Sequence, residues 1–78
     1  MTDSEPFIKL KTELRDTLAR RVRELRLHAK MSQRELAEDA DMRQALISRI
    51  ERGEANPTLD SIAKIAVALD VRLTDHFG

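Results

Sequence analysis

The chain predicts an all-α fold, a compact five-helix domain with a central helix-turn-helix. Three observations carry this. Apolar residues recur every three or four positions through most of the chain, as helix faces require. The stretch SQRELAEDADMRQALISRIERG, from Ser32 to Gly53, divides into two short helices joined by a tight connection. Helix-start and helix-stop residues stand at the ends of these periodic segments: Ser32, Gly53 and Thr58. Two helices as short as those of the central stretch cannot bury enough surface alone, so they need helices on either side.

Residues 1–11 form a flexible or partly helical lead-in, with Pro6 as a stop to regular structure. Its apolar Phe7 and Ile8 are either idle or docked on a subunit interface. Residues 12–78 make the folded domain. Its first helix spans about 12–29, where Leu14, Leu18, Val22 and Leu25 share one face. Arg15, Arg20, Arg21 and Arg23 flank that face. They read either as a solvated edge with partners such as Arg20–Glu24, or as part of a basic surface. The second helix, 33–40, is capped by Ser32 with Glu35 three residues on, a capping box, and turns Leu36, Ala37 and Ala40 inward. The third, 43–52, offers Ala45/Leu46, Ile47 and Ile50 as its apolar edge and stops at Gly53, which takes a left-handed conformation freely. After the Asn56-Pro57 loop, Thr58 caps a helix over 59–69, with Asp60 near its positive end and Leu59, Ile62, Ile65, Ala66 and Leu69 as its buried stripe. Asp70 ends it. Residues 72–77 form a last helical turn or two, or a short strand.

Composition narrows the function classes. At 78 residues the chain is one small domain near the low end of independent stability. It has no cysteine, which removes disulfides and thiolate metal sites and fits a reducing, cytoplasmic setting. No apolar run reaches the roughly 18 residues of a membrane span, and Asp3 and Glu5 stand where a signal peptide would be basic. His28 and His76 are the only histidines and share no ligand spacing, and two glycines are too few for a phosphate loop, so neither catalysis nor a metal or other cofactor is expected. Net charge is zero, yet residues 9–30 hold eight Lys/Arg against three acids. A neutral protein with such an asymmetry can still present a basic face to phosphates.

Helix, tight turn, helix is the arrangement by which one helix crosses the DNA backbone and the next enters the major groove. The second helix then needs polar groups at its N-terminus and along its outer face. Here it has Arg43 and Gln44, with Ser48 and Arg49 one turn on and Arg52 at its end. Glutamine can pair with adenine N6/N7, and arginine can fork onto guanine O6/N7. On spacing alone Gln44 and Arg49 could equally be exposed solubilising residues.

Five segments carry a resemblance: LARRVRELR at 18–26, MSQRELAEDA at 31–40, ISRIERG at 47–53, NPTLDSIAKIAVAL at 56–69 and V-L--F at 71–77. Together they resemble the phage-repressor and Cro-type (XRE-like) helix-turn-helix family, over nearly the whole chain. The resemblance implies a lambda-repressor-like five-helix domain that binds operator DNA as a two-fold symmetric dimer. It places Gln33 on a phosphate and against Gln44, and makes Gln44, Ala45 and Arg49 the base-reading positions. Arg43, Ser48 and Arg52 hold the backbone or support the readers. Arg26 and Glu51 match the family's internal ion pair. Val71, Leu73 and Phe77, with help from Phe7, are the candidate dimer surface. Asp41 and Asp70 stand where the family favours glycine, so Asp41 either takes the left-handed turn or caps the third helix. Arg72 and His76 replace a usual cap and a usual apolar residue. The resemblance also admits an alternative, an antitoxin-type module that binds a toxin partner and regulates its own operon.

Overall fold

The computed structural model describes the backbone of residues 4–77 and the side chains of residues 5–74. Four helices follow one another: α1 (Ser4–His28), α2 (Gln33–Asp39), α3 (Gln44–Glu51) and α4 (Leu59–Phe77). The described residues contain no strand. The all-α class stands, but the count is four helices rather than five, because Asp70 does not end the last one. A single aspartate costs a helix interior only about 0.5 kcal/mol. Against that, Ala68 and Leu69 are buried, Leu73 packs on the core, and Arg72 reaches from α4 to Asp39 (3.0 Å) and Glu35 (3.7 Å) of α2. One continuous α4 keeps these anchors in register.

The lead-in differs too. Pro6 does not stop regular structure; it sits in the first turn of α1, where the missing N–H has no intrahelical acceptor to lose. The predicted stripe of α4 is partly rotated. Ile65 and Leu69 are buried and Ile62 half-buried, but Leu59 is 83% exposed and Ala66 faces solvent, while Ala68 takes the inward position. Leu14, expected on the inner face of α1, is 60% exposed, because the core begins only at Ala19.

That core gathers Val22 of α1 and Ala29 just after it, Leu36 and Ala37 of α2, Ile47 and Ile50 of α3, and Ile65, Ala68 and Leu69 of α4. Leu36, Ile47 and Ile50 are its most fully enclosed large side chains. The capping box forms as its spacing predicts. Ser32 Oγ accepts from the Glu35 N–H and Glu35 Oε1 accepts from the Ser32 N–H, each at 3.0 Å. The Ser32 backbone donor, and then its hydroxyl, hold the Glu35 carboxyl below its usual range, with Arg72 adding to the effect. A carboxyl depressed by folding contributes stability that is present above its unfolded pKa and lost as pH falls through the folded one. The Thr58 cap forms as well, its Oγ1 accepting from the Ser61 N–H at 3.0 Å.

Three helix ends close in the same way. After α1, Met31 N–H donates to Arg26 C=O and Lys30 N–H to Leu27 C=O. After α2, Met42 donates to Ala37 and Asp41 to Glu38. After α3, Glu54 donates to Arg49 and Gly53 to Ile50. Each is a Schellman closure that needs a left-handed residue, and Lys30 (φ 57), Asp41 (φ 55) and Gly53 (φ 70) supply it. Asp41 therefore turns the chain rather than capping α3. Only Gly53 adopts that geometry without a Cβ penalty, and an added Cβ there would lie 3.1 Å from Asp16 Oδ1. Lys30→Gly should raise the unfolding free energy by about 0.5–1 kcal/mol, the left-handed strain outweighing glycine's entropy. Asp41→Gly should gain less, since aspartate tolerates the region better. Gly53→Ala should lose about 1 kcal/mol. Urea melts of the three variants check these signs.

Candidate nucleic-acid interface

α2 and α3 are joined by the four residues Ala40 to Arg43. The seat of α3 is set by Ile47 and Ile50, which are buried on one side of it. Its other side is therefore turned to solvent. Gln44, Ala45 and Arg49 are exposed and Ser48 is half-buried, at positions i, i+1, i+5 and i+4 of one outward face. The helix begins at Gln44, one residue later than expected. Arg43 is its N-cap, in extended conformation, and makes no side-chain cap. Gln44 and Ala45 thus lie in the first turn, the part of such a helix best placed to meet base edges.

The cations around this face divide into engaged and free. Arg52 Nη1 donates to Ser48 Oγ at 2.6 Å and its Nε to Glu54 Oε2 at 2.9 Å, so Ser48 and Arg52 hold one another. Arg20 and Arg21 both approach Glu24, at 3.8 Å, as the solvated-edge reading of α1 anticipates. Among the described residues Arg23, Arg43 and Arg49 make no ion pair. Arg43 and Arg49 thus carry uncompensated positive charge at the two ends of the exposed face of α3.

Behind that face lies the polar joint of the domain. Arg26 Nε and Nη2 donate to the two oxygens of Glu51, at 2.7 and 3.0 Å, and Nη1 donates to the Met31 carbonyl at 2.7 Å. The Arg26 side chain is 11% exposed and that of Glu51 5%. Gln33, the first residue of α2, donates from Nε2 to Glu51 Oε1 at 3.2 Å. The Gln33 amide is thus directed at the end of α3 and not at Gln44. One carboxylate with three donors ties α1, α2 and α3 together, and no buried side-chain polar atom among the described residues lacks a partner. Sequence reasoning missed two members of this frame. The Met31 carbonyl carries no side-chain signal, and the Arg72 clamp depends on an α4 longer than expected.

The candidate dimer residues differ in exposure. Val71 is exposed on α4, as is Val67 one turn before it, whereas Leu73 is half-buried against the core. Phe7 is exposed near the other end of the molecule's longest helix, beside Pro57 and Ile62. The side chains of Phe77 and His76 lie outside the described residues. His28 is exposed in the last turn of α1. The described residues hold no cluster of potential metal ligands, and no described helix is long and apolar enough to cross a membrane.

A buried, hydrogen-bonded frame presenting an exposed polar helix after a tight turn defines a helix-turn-helix DNA-binding domain. Its family follows from comparison with known proteins: the helix-turn-helix family profile matches residues 22–76, and the chain belongs to that family, in its phage-repressor-like (XRE-type) branch. Control protein C.BamHI of Bacillus amyloliquefaciens is similar, with 43% identity over 63 residues, 80% of this chain and 78% of that one. An immunity repressor protein of Bacillus phage phi105 is 31% identical over 62 residues, again 80% of this chain but 43% of the repressor. An uncharacterized HTH-type transcriptional regulator of Archaeoglobus fulgidus is 39% identical over 57 residues, 73% of this chain and 81% of its own length. The chain is a DNA-binding regulator of transcription.

Proposed function

We propose that this regulator recognises a pseudo-palindromic operator as a homodimer, each subunit laying α3 in the major groove of one half-site. The observation that carries this reading is the outward face of α3, where Gln44, Ala45 and Arg49 are exposed while Ile47 and Ile50 anchor the helix from behind. Gln44 and Arg49 pair with base edges, and Ala45 makes an apolar contact such as one to a thymine methyl. Arg43 and Gln33 meet phosphates at the N-terminal ends of α3 and α2, with Ser48 and Arg52 in support. Two copies related by a two-fold axis set the half-sites about 34 Å apart, and the exposed Val67 and Val71 of α4 are the surface we assign to that contact. Similarity to a control protein and to an immunity repressor protein supports the regulator reading over the antitoxin-type module.

Selection of operators from a randomised duplex pool tests the reading. The parent protein should enrich a palindrome. Gln44→Ala or Arg49→Ala should each cost about 1–3 kcal/mol on the selected site, much less on random DNA, and relax one position per half-site. Arg43→Ala should weaken both DNAs alike and lower the salt dependence by roughly one phosphate per subunit. A pool that yields no palindrome overturns the proposal, and so does a sedimenting monomer on the selected DNA. An enriched site unchanged by Arg49→Ala removes that residue's role alone.

A further inference from the structure

We propose that the groove between the first half of α1 and the start of α4 is a docking site for an acidic amphipathic helix of another protein. The groove encloses about 680 Å³, and its floor is apolar: Phe7, Leu10, Leu14 and Leu18 from α1 facing Pro57 and Ile62. The four α1 residues recur at spacings of three, four and four, one continuous stripe along the helix. This chain's own core uses only the last of the four, the half-buried Leu18; Phe7, Leu10 and Leu14 remain 63%, 55% and 60% exposed. A protruding helical segment of this length is marginal in water without a cover. One wall is fixed in place, because the Arg15 side chain donates to Asn56 Oδ1 across the groove.

Charge identifies the occupant. The charged lining residues are Lys11, Arg15 and Arg21, all cationic. A second copy presenting the same stripe would bring its own Lys11 and Arg15 against them, a like-charge contact that costs binding. A nucleic-acid backbone would satisfy the cations but leave Phe7, Leu10 and Leu14 facing water or phosphate. A helix with apolar anchors at i, i+3, i+4 and i+7, flanked by Glu or Asp, satisfies both floor and rim. The lining contains no residue of α2 or α3, so such a partner can be held while α3 remains free for DNA.

The test uses the full chain and two synthetic helix-forming peptides, identical in their leucines and differing only in Glu or Lys at the flanking positions. By fluorescence anisotropy the glutamate peptide should bind and the lysine peptide should bind about tenfold more weakly, the effect of three exposed charge contacts. Leu14→Asp should abolish binding and Arg21→Glu should weaken it, with thermal melts and affinity for the selected operator unchanged. Should Leu14→Asp disturb folding, Leu14→Ala should still weaken the peptide several-fold. No binding of the glutamate peptide at millimolar concentration overturns the proposal, as does equal binding of both peptides. Self-association of the parent that Leu14→Asp abolishes assigns the groove to a second copy instead. Loss of operator affinity in Leu14→Asp and Arg21→Glu, without loss of fold, assigns it to DNA.

Discussion

Replacing Glu51 with glutamine is expected to lower the unfolding free energy by about 3–5 kcal/mol, because it leaves the Arg26 guanidinium enclosed without its counter-charge. Glu51 accepts from Arg26 twice and from Gln33 once, so the loss reaches α1, α2 and α3 together. A domain of this size has a total stability on the order of 4–12 kcal/mol, so the variant should be partly unfolded near body temperature. Arg26→Leu should cost a similar amount by stranding the carboxylate. The double variant Arg26→Leu/Glu51→Leu should recover much of the loss, since a buried pair exchanged for apolar groups is often neutral. Recovery should stop short of the parent, because the Met31 carbonyl and the Gln33 amide lose their partners as well. Denaturant melts of the four proteins compare these losses and the recovery. A Glu51→Gln melt matching the parent would mean that the joint is wet and contributes nothing.

How much of this was legible beforehand depended on where each feature's cause lies. Local chemistry was readable: Ser32 with Glu35, Thr58 with Ser61 and Gly53 after α3 are governed by residues within four positions, and each forms. The inward faces of α2 and α3 were readable from period alone, down to Leu36, Ala37, Ile47 and Ile50. Non-local causes defeated the reading elsewhere. Asp70 reads as a stop because its own propensity is poor, while the anchors that carry α4 past it, Arg72 to Asp39 and Leu73 to the core, belong to distant parts of the chain. Leu14 and Leu59 have the right spacing for burial, but Leu14 lines an open groove and stays 60% exposed, and Leu59 is 83% exposed. The sequence leaves Asp41 two roles, and the hydrogen bonds from Asp41 and Met42 back into α2 select the turn. The Arg26–Glu51 pairing came from the family resemblance; no periodicity would have joined residues 25 positions apart.

Ile47→Ala is expected to cost about 2–5 kcal/mol, the range for truncating an enclosed aliphatic side chain whose cavity cannot collapse. Ile47 is 0% exposed, whereas Gln44, Ala45 and Arg49 are exposed, so it holds the reading face in place without being part of it. That position separates folding from recognition. In Ile47→Ala the melting temperature should fall steeply, and binding to the selected operator should weaken only as far as the folded fraction falls. Saturating operator at about 100 times Kd should return some 2.7 kcal/mol of apparent stability to the variant by mass action. The bases preferred by what remains folded should be those of the parent. Arg49→Ala should show the opposite pattern, with the parent's melt and a relaxed preference at one position per half-site. If Ile47→Ala changes base preference while keeping the parent's melt, α3 is not seated on the core through Ile47, and the outward orientation of Gln44, Ala45 and Arg49 fails with it.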